Sequence, residues 1–80
     1  MSSGNLMQRT FDVLRDAPME LSCSEIALRL GLNTAAVRGA IKRLRGIRLV
    51  NAFYGPDCVW RYRLRVGAER PDDGRGRRQT

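Results

Sequence analysis

Histidine is absent from this 80-residue sequence, and cysteine occurs only twice, as Cys23 and Cys58. These scarcities exclude His-based catalytic triads, ordinary zinc sites and a disulfide framework. Neither cysteine has a second cysteine or a histidine near it in the chain. Both are expected as small core residues in a reducing compartment, with one mutual disulfide as the alternative. No apolar run approaches the roughly 20 residues that span a bilayer. Met1-Ser2-Ser3-Gly4 also lacks the basic-then-apolar order of a signal peptide. The expectation is a cytoplasmic, nucleoid-associated protein with no membrane partner. Catalytic chemistry is equally thin. Ser22 and Ser24 have no base, no glycine-rich phosphate loop occurs, and Asp12 and Asp16 lie beside Arg9 and Arg15 as surface charge. No enzyme and no cofactor are expected. With 42% apolar residues and no internal repeat, the chain holds one modest core and no large substrate pocket.

What is abundant is positive charge, and almost all of it is arginine. Fifteen basic residues oppose eight acidic ones for a net charge of +7, and Lys42 is the single lysine. Arginine makes planar, bidentate contacts with phosphate and guanine that lysine cannot reproduce. The placement is uneven. Residues 1–25 carry a net −2, residues 26–66 a net +8, and residues 67–80 a net +1. Between Ile26 and Pro56 there is no acid at all. A solvated surface interleaves its signs, whereas a segregated basic block reads as a footprint for a polyanion.

Hydrophobic spacing organises the chain. Leu6, Met7, Phe11, Val13 and Leu14 predict a first helix over 5–16, with Asn5 as N-cap and Pro18 closing it. Leu21 points inward from a short extended connector. Ser22 and Glu25 have the spacing of a capping box. Ile26, Ala27 and Leu30 then predict a second helix over 23–30, stopped by Gly31. A third helix over 34–45 starts at Asn33 or Thr34, buries Val37, Ala40, Ile41 and Leu44, and ends at Gly46. Residues 49–54 read as a strand, Gly55-Pro56-Asp57 as a turn, and Cys58 to Val66 as a second strand. In that second strand Cys58, Trp60, Tyr62, Leu64 and Val66 share the inward face, with Trp60 expected against the third or first helix. Arg61, Arg63 and Arg65 share the outward face. Residues 67–80 are expected as a disordered basic tail after a domain over 1–66.

The order helix, helix, tight turn, helix, hairpin resembles the winged helix-turn-helix superfamily. The resemblance rests on Ser24 through Arg38, which includes Ile26-Ala27, Leu30-Gly31-Leu32-Asn33 and Val37, followed by Leu44 and then Gly46 through Val50. It covers residues 5–66 and implies a mainly α fold of three helices with a β-hairpin wing. It further implies duplex DNA as partner, with the third helix in the major groove. On that helix Asn33, Thr34 and Ala35 lie at the start, near base edges. Arg38 is the candidate for a bidentate guanine contact. Lys42, Arg43, Arg45 and Arg48 are candidate phosphate contacts. Arg61, Arg63 and Arg65 form a ladder along the wing, about 13 Å long at about 3.3 Å per residue.

The expected function is therefore that of a sequence-specific DNA-binding protein, a small transcriptional regulator. Met7 and Phe11 are a candidate homodimer face. Two alternatives stay open: a winged-helix module that docks its basic face on an acidic protein, and RNA binding through the same fold. Gly74-Arg75-Gly76-Arg77-Arg78 is similar to the Arg-Gly-Arg core of minor-groove AT-hooks but lacks the flanking prolines. It is expected to add non-specific affinity at most.

Overall fold

The computed structural model of the protein describes residues 5–71. Three helices, α1 (Leu6–Asp16), α2 (Cys23–Leu30) and α3 (Thr34–Gly46), and three strands, β1 (Leu21–Ser22), β2 (Val50–Tyr54) and β3 (Trp60–Leu64), follow in the order α1-β1-α2-α3-β2-β3. The strands form one antiparallel sheet in the order β1-β3-β2. The hairpin foreseen from the sequence is thus the larger part of a three-stranded sheet. Leu21 pairs with Tyr62 on one side of β3, and Ala52 pairs with Tyr62 on the other. No helix among the described residues is long and apolar enough to cross a membrane.

Each helix begins where its sequence can satisfy free backbone N–H groups. Asn5 and Gln8 form a reciprocal capping box on α1, and Ser22 and Glu25 form another on α2. Asn33 caps α3 by accepting the Ala36 N–H at 2.8 Å. The tight joint between α2 and α3 depends on Gly31, which sits at φ +71°. There the Leu32 N–H donates to the Ala27 carbonyl at 3.0 Å, reversing the chain within one turn.

The end of α3 differs from expectation. Gly46 is still helical, and the left-handed residue that closes the helix is Arg48, at φ +64°. Its N–H donates to the Arg45 carbonyl, and the Leu49 N–H donates to that of Leu44, both at 3.0 Å. This is the bonding of a Schellman motif with arginine in the usual glycine place. A left-handed conformation costs a Cβ-bearing residue about 1–2 kcal/mol.

The core lies where the three helices meet the inner face of the sheet. Phe11 and Leu14 of α1, Ile26 and Ala27 of α2, and Val37, Ile41 and Leu44 of α3 close over Leu21, Val50 and Tyr62. Each large side chain so buried contributes about 1.5–3 kcal/mol. Phe11 is 2% exposed and belongs to this core, so it supplies no dimer face. The buried stripe of α1 includes two polar residues, Gln8 and Thr10, beside Phe11 and Leu14, while Met7 and Val13 are half-buried and pack at the edge of the core. The Thr10 hydroxyl is buried without a hydrogen-bond partner among the described residues.

Gln8 works at both ends. Its Oε1 accepts the Asn5 N–H at 3.0 Å, and its Nε2 donates to the Pro71 carbonyl at 2.8 Å. Arg70 meets the Asp12 carboxylate at 3.0 Å, and Ala68 packs at the edge of the core. The segment 67–71, assigned to the tail from sequence, therefore lies against α1, because two polar α1 side chains reach it. The rest of the tail, with the Arg-Gly-Arg run, lies outside the described residues.

The hairpin keeps the expected parity but outruns the core. Tyr62 is buried, whereas Trp60, two residues nearer the tip on the same face, is 49% exposed. Trp60 packs against Tyr54, its cross-strand partner, with ring centroids 5.0 Å apart at 54°, instead of being buried under a helix. Cys58, expected in the core, is exposed in the loop at φ +63°. The helical body ends before the tip, so inward parity there does not produce burial.

Candidate nucleic-acid interface

The helix α3 presents two chemically different sides. Val37, Ala40, Ile41 and Leu44 are buried beneath it. Opposite them, Ala35, Gly39 and Gly46 are exposed and carry almost no side-chain bulk. Arg38, Lys42 and Arg45, spaced three and four residues apart, run along one flank. Arg38 borders a depression of about 230 Å³ with Cys23, Trp60 and Tyr62. Arg45 and Arg48 border another of about 480 Å³, between the end of α3 and β2, together with Arg65. Arg43 occupies the other flank, next to Asn5, Leu6 and Met7 of α1. Of the three residues expected at the helix start, Ala35 is exposed, Thr34 is half-buried, and Asn33 is committed to its capping bond.

Ion pairing separates the cations into two groups. Among the described residues, Arg15 pairs with Asp12 and Asp16, Arg61 with Asp57, Arg63 with Glu20, and Arg70 with Asp12. Arg38, Lys42, Arg43, Arg45 and Arg48 have no carboxylate within salt-bridge distance among those residues, and neither do Arg9 of α1, Arg29 of α2 and Arg65. The uncompensated positive field therefore concentrates on α3 and its C-terminal turn.

This divides the arginine ladder of the sequence reading. Arg61 grips Asp57 with two bonds, Nη1 to Oδ1 at 3.1 Å and Nη2 to Oδ2 at 2.7 Å. The contact holds the Asp57 carboxyl below its ordinary pKa and raises that of Arg61. Arg63 lies 3.5 Å from Glu20. Both arginines project from the sheet face opposite Tyr62 and the helices, away from the basic flank of α3. Strand pleating is the reason, since alternate residues point to opposite faces. Arg65 follows the same parity but stands past the end of β3. There its Nη1 donates to the Arg48 carbonyl at 3.2 Å and joins the groove beside α3. The three arginines do not form one phosphate-tracking row.

Beneath the basic flank lie two titratable groups that the sequence reading did not pair. Burial raises the Cys23 thiol pKa, while a hydrogen bond with Tyr62 and the nearby Arg38 charge pull it down. The Tyr62 phenol is raised, chiefly by burial. Both remain neutral near pH 7 and line the same depression as Arg38. Among the described residues, no three His, Cys, Asp or Glu side chains converge to hold a metal ion. Trp60 and Tyr54 are the surface features the sequence reading missed. Their alternation matched a core strand, and only the length of hairpin beyond Tyr62 distinguishes tip from core.

No protein-family profile, curated protein or solved structure matches the chain.

Proposed function

We propose that this protein binds duplex DNA as a winged helix-turn-helix domain and acts as a small transcriptional regulator. The observation that carries the reading is the uncompensated row Arg38, Lys42 and Arg45 beside an α3 face built from Ala35, Gly39 and Gly46. A helix about 10–12 Å across, side chains included, fits a major groove about 12 Å wide, and a slim leading face brings its backbone closer to the base edges. Alanine and glycine there let the backbone sink in, and the flanking cations meet the groove walls. Arg38, near the N-terminal end, reaches base edges and is the reader. Lys42, Arg43, Arg45, Arg48 and Arg65 are holders that meet phosphates.

The hairpin β2–β3 takes the wing's place, and its contribution to phosphate binding comes through Arg65. Arg61 and Arg63 already have carboxylate partners on the far sheet face and are not assigned to DNA. An acidic protein partner would exploit the same field, but it would not need the slim face.

The test is fluorescence anisotropy of a labelled random-sequence duplex at two salt concentrations. Five phosphate-directed cations predict a fall in affinity of about 500-fold between 50 and 200 mM salt. A site selected from random DNA then separates reading from holding. Arg38→Ala costs about 1–3 kcal/mol on that site and relaxes preference at one or two base pairs. Absence of binding at low salt, or a flat salt response, refutes the reading.

A further inference from the structure

The hairpin tip has a chemistry that duplex holding by α3 leaves unused. Trp60 is half exposed, and its ring borders both depressions beside α3. On one side are Arg45, Arg48 and Arg65; on the other is Arg38. The indole thus stands between two sets of guanidinium groups, none ion-paired to a carboxylate among the described residues. Tyr54 braces it at 54°, a tilted contact that positions the ring while leaving it half exposed.

The platform is pre-shaped. The Gly55 N–H donates to the Val59 carbonyl at 3.1 Å, and the Cys58 N–H donates to that of Gly55 at 3.0 Å. The Asp57–Arg61 pair clamps the loop from the opposite face. A fixed aromatic surface among cations matches a nucleobase joined to its phosphates. In a duplex, both faces of each base are already covered by its neighbours. An unpaired base leaves its π-face free.

We propose that Trp60 stacks on an unpaired DNA base while the phosphates of the same strand lie against Arg45, Arg48 and Arg65, so that the preferred ligand is a duplex bearing a single-stranded overhang. The inference rests on α3 as the duplex-binding element, since Arg45 borders both the α3 face and the groove beside Trp60. Neutral apolar ligands do not explain the surrounding charge. A fully paired duplex does not explain the half-exposed ring.

The experiment uses the full chain, whose single tryptophan is its own fluorescent reporter. Affinity and indole emission are measured with a blunt duplex and with the same duplex carrying a thymine overhang of about six nucleotides, within the range that one small domain contacts. The overhang duplex is expected to bind about 10-fold tighter, within the range of a single base–aromatic stack. It is expected to quench Trp60, while the blunt duplex does not. Trp60→Ala removes the preference and leaves blunt-duplex affinity unchanged; Trp60→Phe keeps part of the preference. A native circular dichroism spectrum and a cooperative melt confirm that the fold is intact, with Tm for Trp60→Ala lowered by a few degrees through loss of the Tyr54 contact.

Equal affinity for the two ligands, with emission unchanged or equally quenched, overturns the inference while salt-dependent blunt binding preserves the α3 reading. Binding with quenching by the overhang strand alone, and none by blunt duplex, keeps the Trp60 assignment and overturns the α3 reading. Binding to neither overturns both.

Discussion

Gly39 occupies the middle of the α3 face assigned to the major groove, and replacing it by glutamate separates stability from binding. A Cβ built at Gly39 meets nothing within 4 Å, so the new side chain enters open solvent. Glycine inside a helix costs about 0.8–1.0 kcal/mol relative to alanine, and glutamate recovers most of that. The new carboxylate would stand four residues before Arg43, in the favourable orientation for an i,i+4 ion pair, adding about 0.3–0.5 kcal/mol. Gly39→Glu is therefore expected to stabilise the protein by about 1 kcal/mol. For a domain of this size that raises Tm by about 4–8 °C.

Binding moves the other way. A carboxylate between Arg38, Lys42 and Arg43 faces the phosphate-lined groove, where like-charge juxtaposition costs several kcal/mol. About 100-fold weaker duplex binding at low salt corresponds to about 2.7 kcal/mol. Gly39→Ala is the control: it gains stability and adds no charge. Thermal melts by circular dichroism and anisotropy titrations on the same preparations read both effects. A Gly39→Glu variant that binds duplex DNA as tightly as the parent refutes insertion of α3. A lowered Tm refutes the open face.

Arg48→Gly relieves the left-handed arginine at the end of α3, so Tm is expected to rise with about 1 kcal/mol of stability while the slope of log affinity against log salt falls by about one unit; an unchanged slope removes Arg48 from the interface. Thr10→Val replaces the buried, unpartnered hydroxyl by a methyl of similar volume and is expected to stabilise by about 1 kcal/mol in urea unfolding; destabilisation would mean that the hydroxyl has a partner. Cys58 is exposed and Cys23 is partly buried with a raised thiol pKa, so a chromogenic disulfide reagent near pH 8 modifies Cys58 first and Cys23 slowly; equal rates contradict that placement. The Asp57 carboxyl is held below its ordinary pKa by Arg61, so the stability it contributes is complete above the ordinary value and is lost as pH falls through the lower folded one; Asp57→Asn should flatten the melting profile across that acidic window, lying slightly below the parent near pH 7 and converging with it in acid.

The local code of this chain is readable in its sequence. Asn5, Ser22 and Gly31 start or stop helices where short-range hydrogen bonding requires them to. Val37, Ile41 and Leu44 reveal the buried side of α3 through spacing alone. Features that depend on distant partners were hidden. Arg63 looks free beside its sequence neighbours, and only strand pairing brings Glu20 to it. Gln8 and Thr10 look like surface residues until α1 is packed. Trp60 and Tyr62 have the same parity, and only the extent of the helical body decides that one is buried and the other is not. Arg48 closes a helix in glycine's place, which no propensity argument selects.

The most direct test of the account is an NMR titration of isotope-labelled protein with a short DNA duplex at low salt, following backbone amides and arginine side-chain Nε–H signals. The account predicts that shifts concentrate at Ala35, Arg38, Gly39, Lys42 and Arg45, extend to Arg48 and Arg65, and leave Arg61 and Arg63 on the opposite sheet face nearly unmoved. Shifts centred on Arg61, Arg63 and Phe53, with α3 unperturbed, would contradict it.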